Sequence, residues 1–138
     1  MGRAAGLTEA RVDETPVVSI ALWTTDIPAL SGFLSEVAGL AVIEEYPGYA
    51  RLQAWNAEIE LHGDDDADRR HPWYAALKRE GAARGIGAEI RFQVPDLERA
   101  FTLALRRGAL SIRPPTPAGD MDLATVMGPD GYFFTLWQ

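Results

Sequence analysis

The stretch AEIRFQVPDLERAF, at residues 88–101, carries the pattern of a strand followed directly by the start of a helix. Apolar residues alternate with polar ones along its first half, at Ile90, Phe92 and Val94. This period of two is typical of a strand with one buried face, and Asp96 stands where an N-cap residue would begin a helix. The polar side chains of the strand share its other face and are Glu89, Arg91 and Gln93. That face is either a solvated surface or the wall of a pocket.

The same pattern occurs earlier in the chain. SIALWTTDIPALSGFL begins at Ser19 and EIRFQVPDLERAFTLA begins at Glu89, an offset of 89 − 19 = 70 residues. Each copy is predicted to start its helix at an Asp N-cap and to end it at a glycine in the left-handed conformation. These residues are Asp26 and Gly39 in the first copy and Asp96 and Gly108 in the second. Apolar stripes are predicted on the two helices at Ile27, Leu30 and Leu34 and at Leu97, Phe101 and Leu105.

Each predicted helix is followed by strand-like segments. In the first copy these are AVIEEY, ARLQAW and EIELHG, with the pair NA as the last turn. In the second copy they are ALSIRP, LATVM and YFFTLWQ, with the breaker-rich PTPAGD predicted as a connection. The sequence therefore predicts an α+β fold of two tandem βαβββ units, which form a cup-shaped mixed sheet with the helices on its outer face.

The predicted domain organisation follows from this repeat. Residues 1–14 are expected to be a flexible tail, and residues 15–138 a single domain. Its two modules cover about 15–63 and 86–138 and are joined by a loop-helix linker at 64–85, with Pro72 in the first turn of the helix. The acidic run Asp64–Asp66 lacks the spacing and closing Glu of a calcium loop, so it is predicted to be a solvated loop.

Composition and charge exclude some classes of function. The chain has 138 residues, a net charge of −7 and no cysteine, which excludes disulfides and thiolate chemistry. Its acidity argues against a nucleic-acid partner, because phosphate binding needs a basic surface. The chain has no apolar run that could span a bilayer and no apolar signal core, so we expect a cytoplasmic protein with no membrane partner.

Helices on one face of each sheet leave the other, concave face for a site. The side chains predicted to face the helices are Ile20, Leu22, Ile59, Leu61, Ile90, Phe92, Phe134 and Leu136. The opposite set is too aromatic and too mixed in charge for a simple solvated surface, which favours a pocket that binds a small molecule. The predicted ligand-binding residues are Ser19, Trp23, Arg51, Gln53, Trp55, Glu60, His62, Glu89, Arg91, Gln93, Phe133, Thr135 and Trp137.

The paired βαβββ units, each with an Asp after its first strand, and the ending GPDGYFFTLWQ resemble the vicinal oxygen chelate superfamily over residues 16–138. That group includes glyoxalase I, extradiol dioxygenases and bleomycin-resistance proteins. The resemblance implies a homodimer and, in metal-using members, ligands at four motif positions, here Ser19, Glu60, Glu89 and Thr135. Ser19 and Thr135 are poor ligands when neutral. A site of Glu60, Glu89 and His62 would be oxygen-rich and would favour Mg²⁺ or Mn²⁺.

Two functions remain open at this point. The favoured one is a metal-independent protein of the glyoxalase and bleomycin-resistance type that binds or sequesters an aromatic or cationic small molecule, with no cofactor. The alternative is a lyase, isomerase or dioxygenase that depends on a divalent metal and acts on adjacent oxygens. Its candidate catalytic residues are Glu60 and Glu89, which could instead pair with Arg51 and Arg91 in a structural network.

Overall fold

The computed structural model describes residues 16, 18–66, 70–76 and 84–138. The first half contains, in chain order, β1 (Val18–Thr24), α1 (Ile27–Ala38), β2 (Ala41–Tyr46), β3 (Tyr49–Ala54) and β4 (Ala57–Gly63). The second half contains β5 (Ile90–Gln93), α2 (Leu97–Arg106), β6 (Leu110–Ala118), β7 (Met121–Met127), a 3₁₀ turn (Pro129–Gly131) and β8 (Phe133–Trp137). The predicted order βαβββ, repeated once, is therefore confirmed. The predicted tail lies outside the described residues, and the predicted linker helix is described only at 74–76.

The strands form two four-stranded mixed sheets, in the orders β1-β4-β3-β2 and β5-β8-β7-β6. In each sheet the first strand pairs with the last in parallel, and the remaining pairs are antiparallel. One helix packs on one face of each sheet, which confirms the predicted α+β class. Strands β1 and β5 are both sheet edges. In the described part of the chain, neither helix has the length and apolar character needed to cross a membrane.

The helix ends follow the local prediction. The Asp26 side chain accepts a hydrogen bond from the Ala29 N–H at 3.0 Å, and the Asp96 side chain accepts one from Arg99 at 3.1 Å. These contacts satisfy backbone donors that the first turn of a helix leaves open. Gly39, with φ 78°, is the left-handed cap of α1, and Gly108, with φ 91°, takes the same conformation after α2.

The predicted register of the sheets is confirmed. The side chains assigned to the helix side are buried or pack against one common core, in which Leu61, Phe134 and Leu136 are fully buried. The predicted stripe of α2 is wrong at Leu105, which is 40% exposed. This helix buries Leu97, as predicted, together with Ala100 and Ala104. Its small alanines allow it to lie close to its neighbours, and Leu105 is left at the edge of the contact.

Two predicted boundaries are also wrong. Strand β6 continues through Pro115 and Pro117, where the sequence predicted a connection. The prolines are tolerated because β6 is an edge strand, and its register against β7 shifts in this stretch. Strand β3 ends at Ala54, so Trp55 lies in the turn with φ 55° and not on the strand.

Candidate functional site

The face of the first sheet opposite α1 carries a row of aromatic rings. Cross-strand register places Trp23, His62, Tyr49 and Tyr46 side by side on β1, β4, β3 and β2. The rings of neighbours in this row lie 5.1, 5.6 and 5.2 Å apart, which is the range of favourable aromatic contacts. His62 is only 3% exposed. On its other side Trp23 meets the His71 ring edge-on at 4.6 Å.

Charged side chains form the next row of the same face. Arg51 lies 3.1 Å from Glu44 and 3.5 Å from Glu58, and its hydrogen bond to Glu44 raises the pKa of Arg51. Glu58 also accepts a hydrogen bond from the Ser19 hydroxyl at 3.0 Å. The Glu60 carboxylate accepts from the Tyr49 hydroxyl at 3.4 Å and lies 3.3 Å from Nε2 of His62. These contacts form a network in which Arg51 lies between two glutamates, Glu44 and Glu58.

The face of the second sheet opposite α2 carries the other predicted residues. Thr135 is 1% exposed, and its hydroxyl lies 2.8 Å from the Thr125 hydroxyl. Arg91 is the neighbour of Thr135 on β5, and it lies 3.8 Å from Glu89. Gln93 and Trp137, both half-buried, are paired one step further along the same strands.

The two halves of the chain meet at the backbone of Trp23. Its N–H donates to the Tyr132 hydroxyl at 3.1 Å, and its carbonyl accepts from the same hydroxyl at 2.7 Å. The Trp23 carbonyl also accepts from Arg84 at 3.0 Å. Burial raises the pKa of Tyr132, so its hydroxyl stays protonated. These contacts satisfy backbone groups at the free edge of β1 and join it to the start of β8.

Two carboxylates support this junction. Arg84 donates to both oxygens of Asp64, at 2.7 and 2.6 Å, and this hydrogen bonding raises the pKa of Arg84. Asp64 is only 5% exposed, so its predicted place in a solvated loop is wrong. Asp130, with φ 59°, accepts from the Thr24 hydroxyl at 2.5 Å and from the N–H and hydroxyl of Thr25 at 3.1 and 2.8 Å.

A groove of about 440 Å³ lies between the edges of β1 and β5, beside this junction. We call it the β1–β5 groove. Side chains of three predicted site residues line it, namely Trp23, Glu89 and Phe133. Residues not predicted for the site also line it, among them His71, Arg84 and Tyr132. His71 and Arg84 lie in the predicted linker, where alternation assigns no faces. Tyr132 begins the predicted strand YFFTLWQ, but in the structure it precedes β8.

A second cavity, of about 500 Å³, adjoins the groove. It is lined by Gly87, Ala88, Glu89, Ile112, Thr125 and Phe133. Ala88, Glu89 and Phe133 line both cavities, so the two are neighbours that share these three wall residues.

A larger cleft, of about 960 Å³, lies elsewhere, where β1 and β4 end and α1 begins. None of the predicted site residues lines it, and many of its walls are turns, which makes it a broad surface basin. The smaller groove is the better candidate because it gathers predicted residues from separate segments. The predicted residues that line neither the groove nor its adjoining cavity are Ser19, Arg51, Gln53, Trp55, Glu60, His62, Arg91, Gln93, Thr135 and Trp137.

The four positions that the resemblance assigns to metal ligands do not fit a metal ion. Two of them, Ser19 and Thr135, present neutral hydroxyls that bond to neighbouring side chains. Glu60 is held by Tyr49 and His62, and Glu89 is half-exposed beside an arginine. Among the described residues, no three or more His, Asp or Glu side chains are grouped so that they could hold a metal ion.

The fold places the chain among proteins that are built from two βαβββ units. The comparison with known protein families gives the same class. Residues 17–136 match the model of the Glyoxalase/Bleomycin resistance protein/Dioxygenase superfamily. The chain belongs to this superfamily. No curated protein matches the sequence with significance.

Solved structures share the fold at low identity. One is a glyoxalase/bleomycin resistance protein/dioxygenase family enzyme from Burkholderia phytofirmans PsJN, with 20% identity, a TM-score of 0.68, and coverage of 89% of this chain and 98% of that one. TioX from Micromonospora sp. ML1 has 15% identity, a TM-score of 0.61 and coverage of 88% and 96%. A glyoxalase/bleomycin resistance protein from Streptomyces sp. CB03234 has 13% identity, a TM-score of 0.59 and coverage of 88% and 98%.

Proposed function

We propose that this protein binds a small planar molecule without a metal, and that the β1–β5 groove with its adjoining cavity holds the ligand. The observation that carries the proposal is the lining of the groove. Trp23, Glu89 and Phe133 come from separate segments and line one cavity of about 440 Å³. Small-molecule sites commonly have volumes of about 300–1,000 Å³ and combine apolar walls with a few polar groups.

The charges of the groove favour a ligand whose part inside the groove is neutral or carries a modest positive charge. The Arg84 guanidinium is held by both oxygens of Asp64, so its charge is compensated within the protein. Glu89 lies 3.8 Å from Arg91, and the two side chains are 48% and 52% exposed. An exposed pair at this distance contributes little, so the Glu89 carboxylate is available to a cationic group.

Aromatic side chains supply the rest of the affinity. Trp23 and Phe133 both line the groove and offer ring surface to a planar ligand. A ring contact contributes about 0.5–1.5 kcal/mol beyond the burial of apolar area, and a cation over a tryptophan about 0.5–2 kcal/mol. Together with buried area, these contacts are sufficient for micromolar affinity in the absence of a metal.

Isothermal titration calorimetry with acridine orange, a planar cation, tests the proposal in protein treated with chelator. We expect micromolar binding that Phe133→Ala and Trp23→Ala each weaken about tenfold, because each loses a ring contact and its apolar area. Glu89→Gln should weaken binding a few-fold, through loss of the carboxylate.

Trp73→Ala is the matched control, because Trp73 is 75% exposed and does not line the groove. Its affinity should equal that of the parent protein. Circular dichroism verifies that each variant is folded. The proposal is wrong if chelated protein does not bind the dye, or if the groove variants bind it as well as the Trp73 variant does.

A further inference from the structure

The open face of the second sheet carries a row of four side chains that the proposed function does not use. Register pairs Arg91 on β5 with Thr135 on β8, Thr135 with Thr125 on β7, and Thr125 with Arg113 on β6. Residues directly paired across strands share a face of the sheet. The row is therefore two neighbouring hydroxyls with an arginine on each side.

The hydrogen bond between the two hydroxyls uses only one of their two protons. Thr125 and Thr135 are 2.8 Å apart, and either hydroxyl can donate to the other. Each hydroxyl has a single proton, so the hydroxyl that accepts keeps its own proton for a further acceptor. Thr135 is buried, whereas Thr125 lines the cavity of about 500 Å³ that adjoins the groove. The spare proton can therefore be offered to an oxygen in that cavity.

The two arginines give this face a positive balance. Arg113 is exposed and forms no ion pair with any described residue, and Arg91 has only the 3.8 Å contact with Glu89. Of the six residues that line the cavity of about 500 Å³, Glu89 is the acidic one. The two arginines stand three strand spacings apart, roughly 14 Å between backbones, and their long side chains can lean over the hydroxyls from both sides.

We propose that Arg91, Thr125, Thr135 and Arg113 form a subsite for a carboxylate on the ligand. Guanidinium groups and a hydroxyl proton are donors that match the acceptor oxygens of a carboxylate. The inference rests on the proposed function, since the cavity beside this row shares Ala88, Glu89 and Phe133 with the β1–β5 groove. The ligand would then be a planar carboxylate whose apolar or cationic end reaches Trp23 and Glu89.

A matched pair of probes, 2-naphthoate and its neutral amide 2-naphthamide, tests the subsite by calorimetry. The parent protein should bind the carboxylate at least tenfold more tightly than the amide. Arg91→Gln, Arg113→Gln and Thr125→Val should each remove about tenfold of naphthoate affinity, because a hydrogen bond to a charged group is lost, and leave naphthamide unchanged. Arg106→Gln is the control, since Arg106 is also exposed but lies on α2.

The outcomes separate this inference from the proposed function. Equal affinity for the two probes, no binding of either, or the same result for Arg113→Gln and Arg106→Gln would overturn the subsite. If acridine orange still binds through Phe133 in that case, the proposed function stands alone. If naphthoate binding depends on Arg91 and Arg113 while Trp23→Ala and Phe133→Ala change nothing, the subsite stands and the proposed groove falls.

Discussion

Removal of the Arg84 guanidinium should destabilise the protein more than removal of a charged side chain that is exposed on the surface. Arg84→Met keeps much of the side-chain volume but leaves the Asp64 carboxylate, 5% exposed, without the two hydrogen bonds at 2.7 and 2.6 Å. Breaking a buried ion pair by removal of one partner costs about 3–5 kcal/mol, because the remaining charge is buried and uncompensated. The lost bond from Arg84 to the Trp23 carbonyl, at 3.0 Å, is part of this cost.

The double variant separates the two contributions. Asp64→Leu combined with Arg84→Met removes both charges, so the penalty of an uncompensated carboxylate disappears and replacement is close to neutral. The lost hydrogen bond to Trp23 remains, which costs about 1 kcal/mol. The double variant should therefore be more stable than Arg84→Met by about 2–4 kcal/mol.

Urea denaturation followed by tryptophan fluorescence measures these differences. With a slope of about 1–3 kcal/mol per molar urea, Arg84→Met should lower the unfolding midpoint by roughly 2 M. Arg106→Met, an exposed arginine on α2, is the matched control and should change stability by no more than about 0.5 kcal/mol. A stability of Arg84→Met within about 1 kcal/mol of the parent, or a double variant no more stable than the single one, would contradict the predicted cost of a buried, unpaired Asp64 carboxylate.

Three further outcomes are expected. Burial raises the pKa of Tyr132, so its contribution to stability is present below about pH 10, the unfolded value, and is lost as the pH rises through the folded one. Alkaline unfolding should therefore show a weaker pH dependence in Tyr132→Phe than in the parent. Protein purified without chelator should hold no stoichiometric transition metal by mass spectrometry; a bound metal that Glu60→Ala releases would contradict this and favour the enzyme hypothesis. Sedimentation at micromolar concentration should reveal a homodimer, because open sheet edges invite pairing, and a monomer would contradict it.

Local chemistry made much of the fold predictable. The caps at Asp26 and Asp96 and the glycines at 39 and 108 depend only on residues within a few positions of each helix end. The register of the strands is nearly as local, because a shift by one residue would turn every apolar side chain away from the core. For this reason the assignment of Ile90 and Phe92 to the helix side could be made from alternation alone.

Other features depend on the position of an element among its neighbours, which periodicity does not encode. Pro115 and Pro117 fit in a strand because β6 lies at the edge of its sheet, and strand order is a property of the whole module. The sequence predicts that Asp64 lies in a solvated acidic loop. In the structure Asp64 is buried and forms an ion pair with Arg84.

The candidate site also combines local features with features that depend on neighbouring elements. Alternation placed Trp23, Glu89 and Phe133 on the open faces of their strands, which is a local property of the pleat. Their meeting in one groove depends on how the edges of β1 and β5 come together. Tyr132 sets that approach through its two hydrogen bonds to Trp23, from a position 109 residues further along the chain. Alternation along each strand therefore predicts which side chains the strand displays. Which of them share a cavity depends on the packing of the two sheets, because contacts between distant segments have no periodic signature.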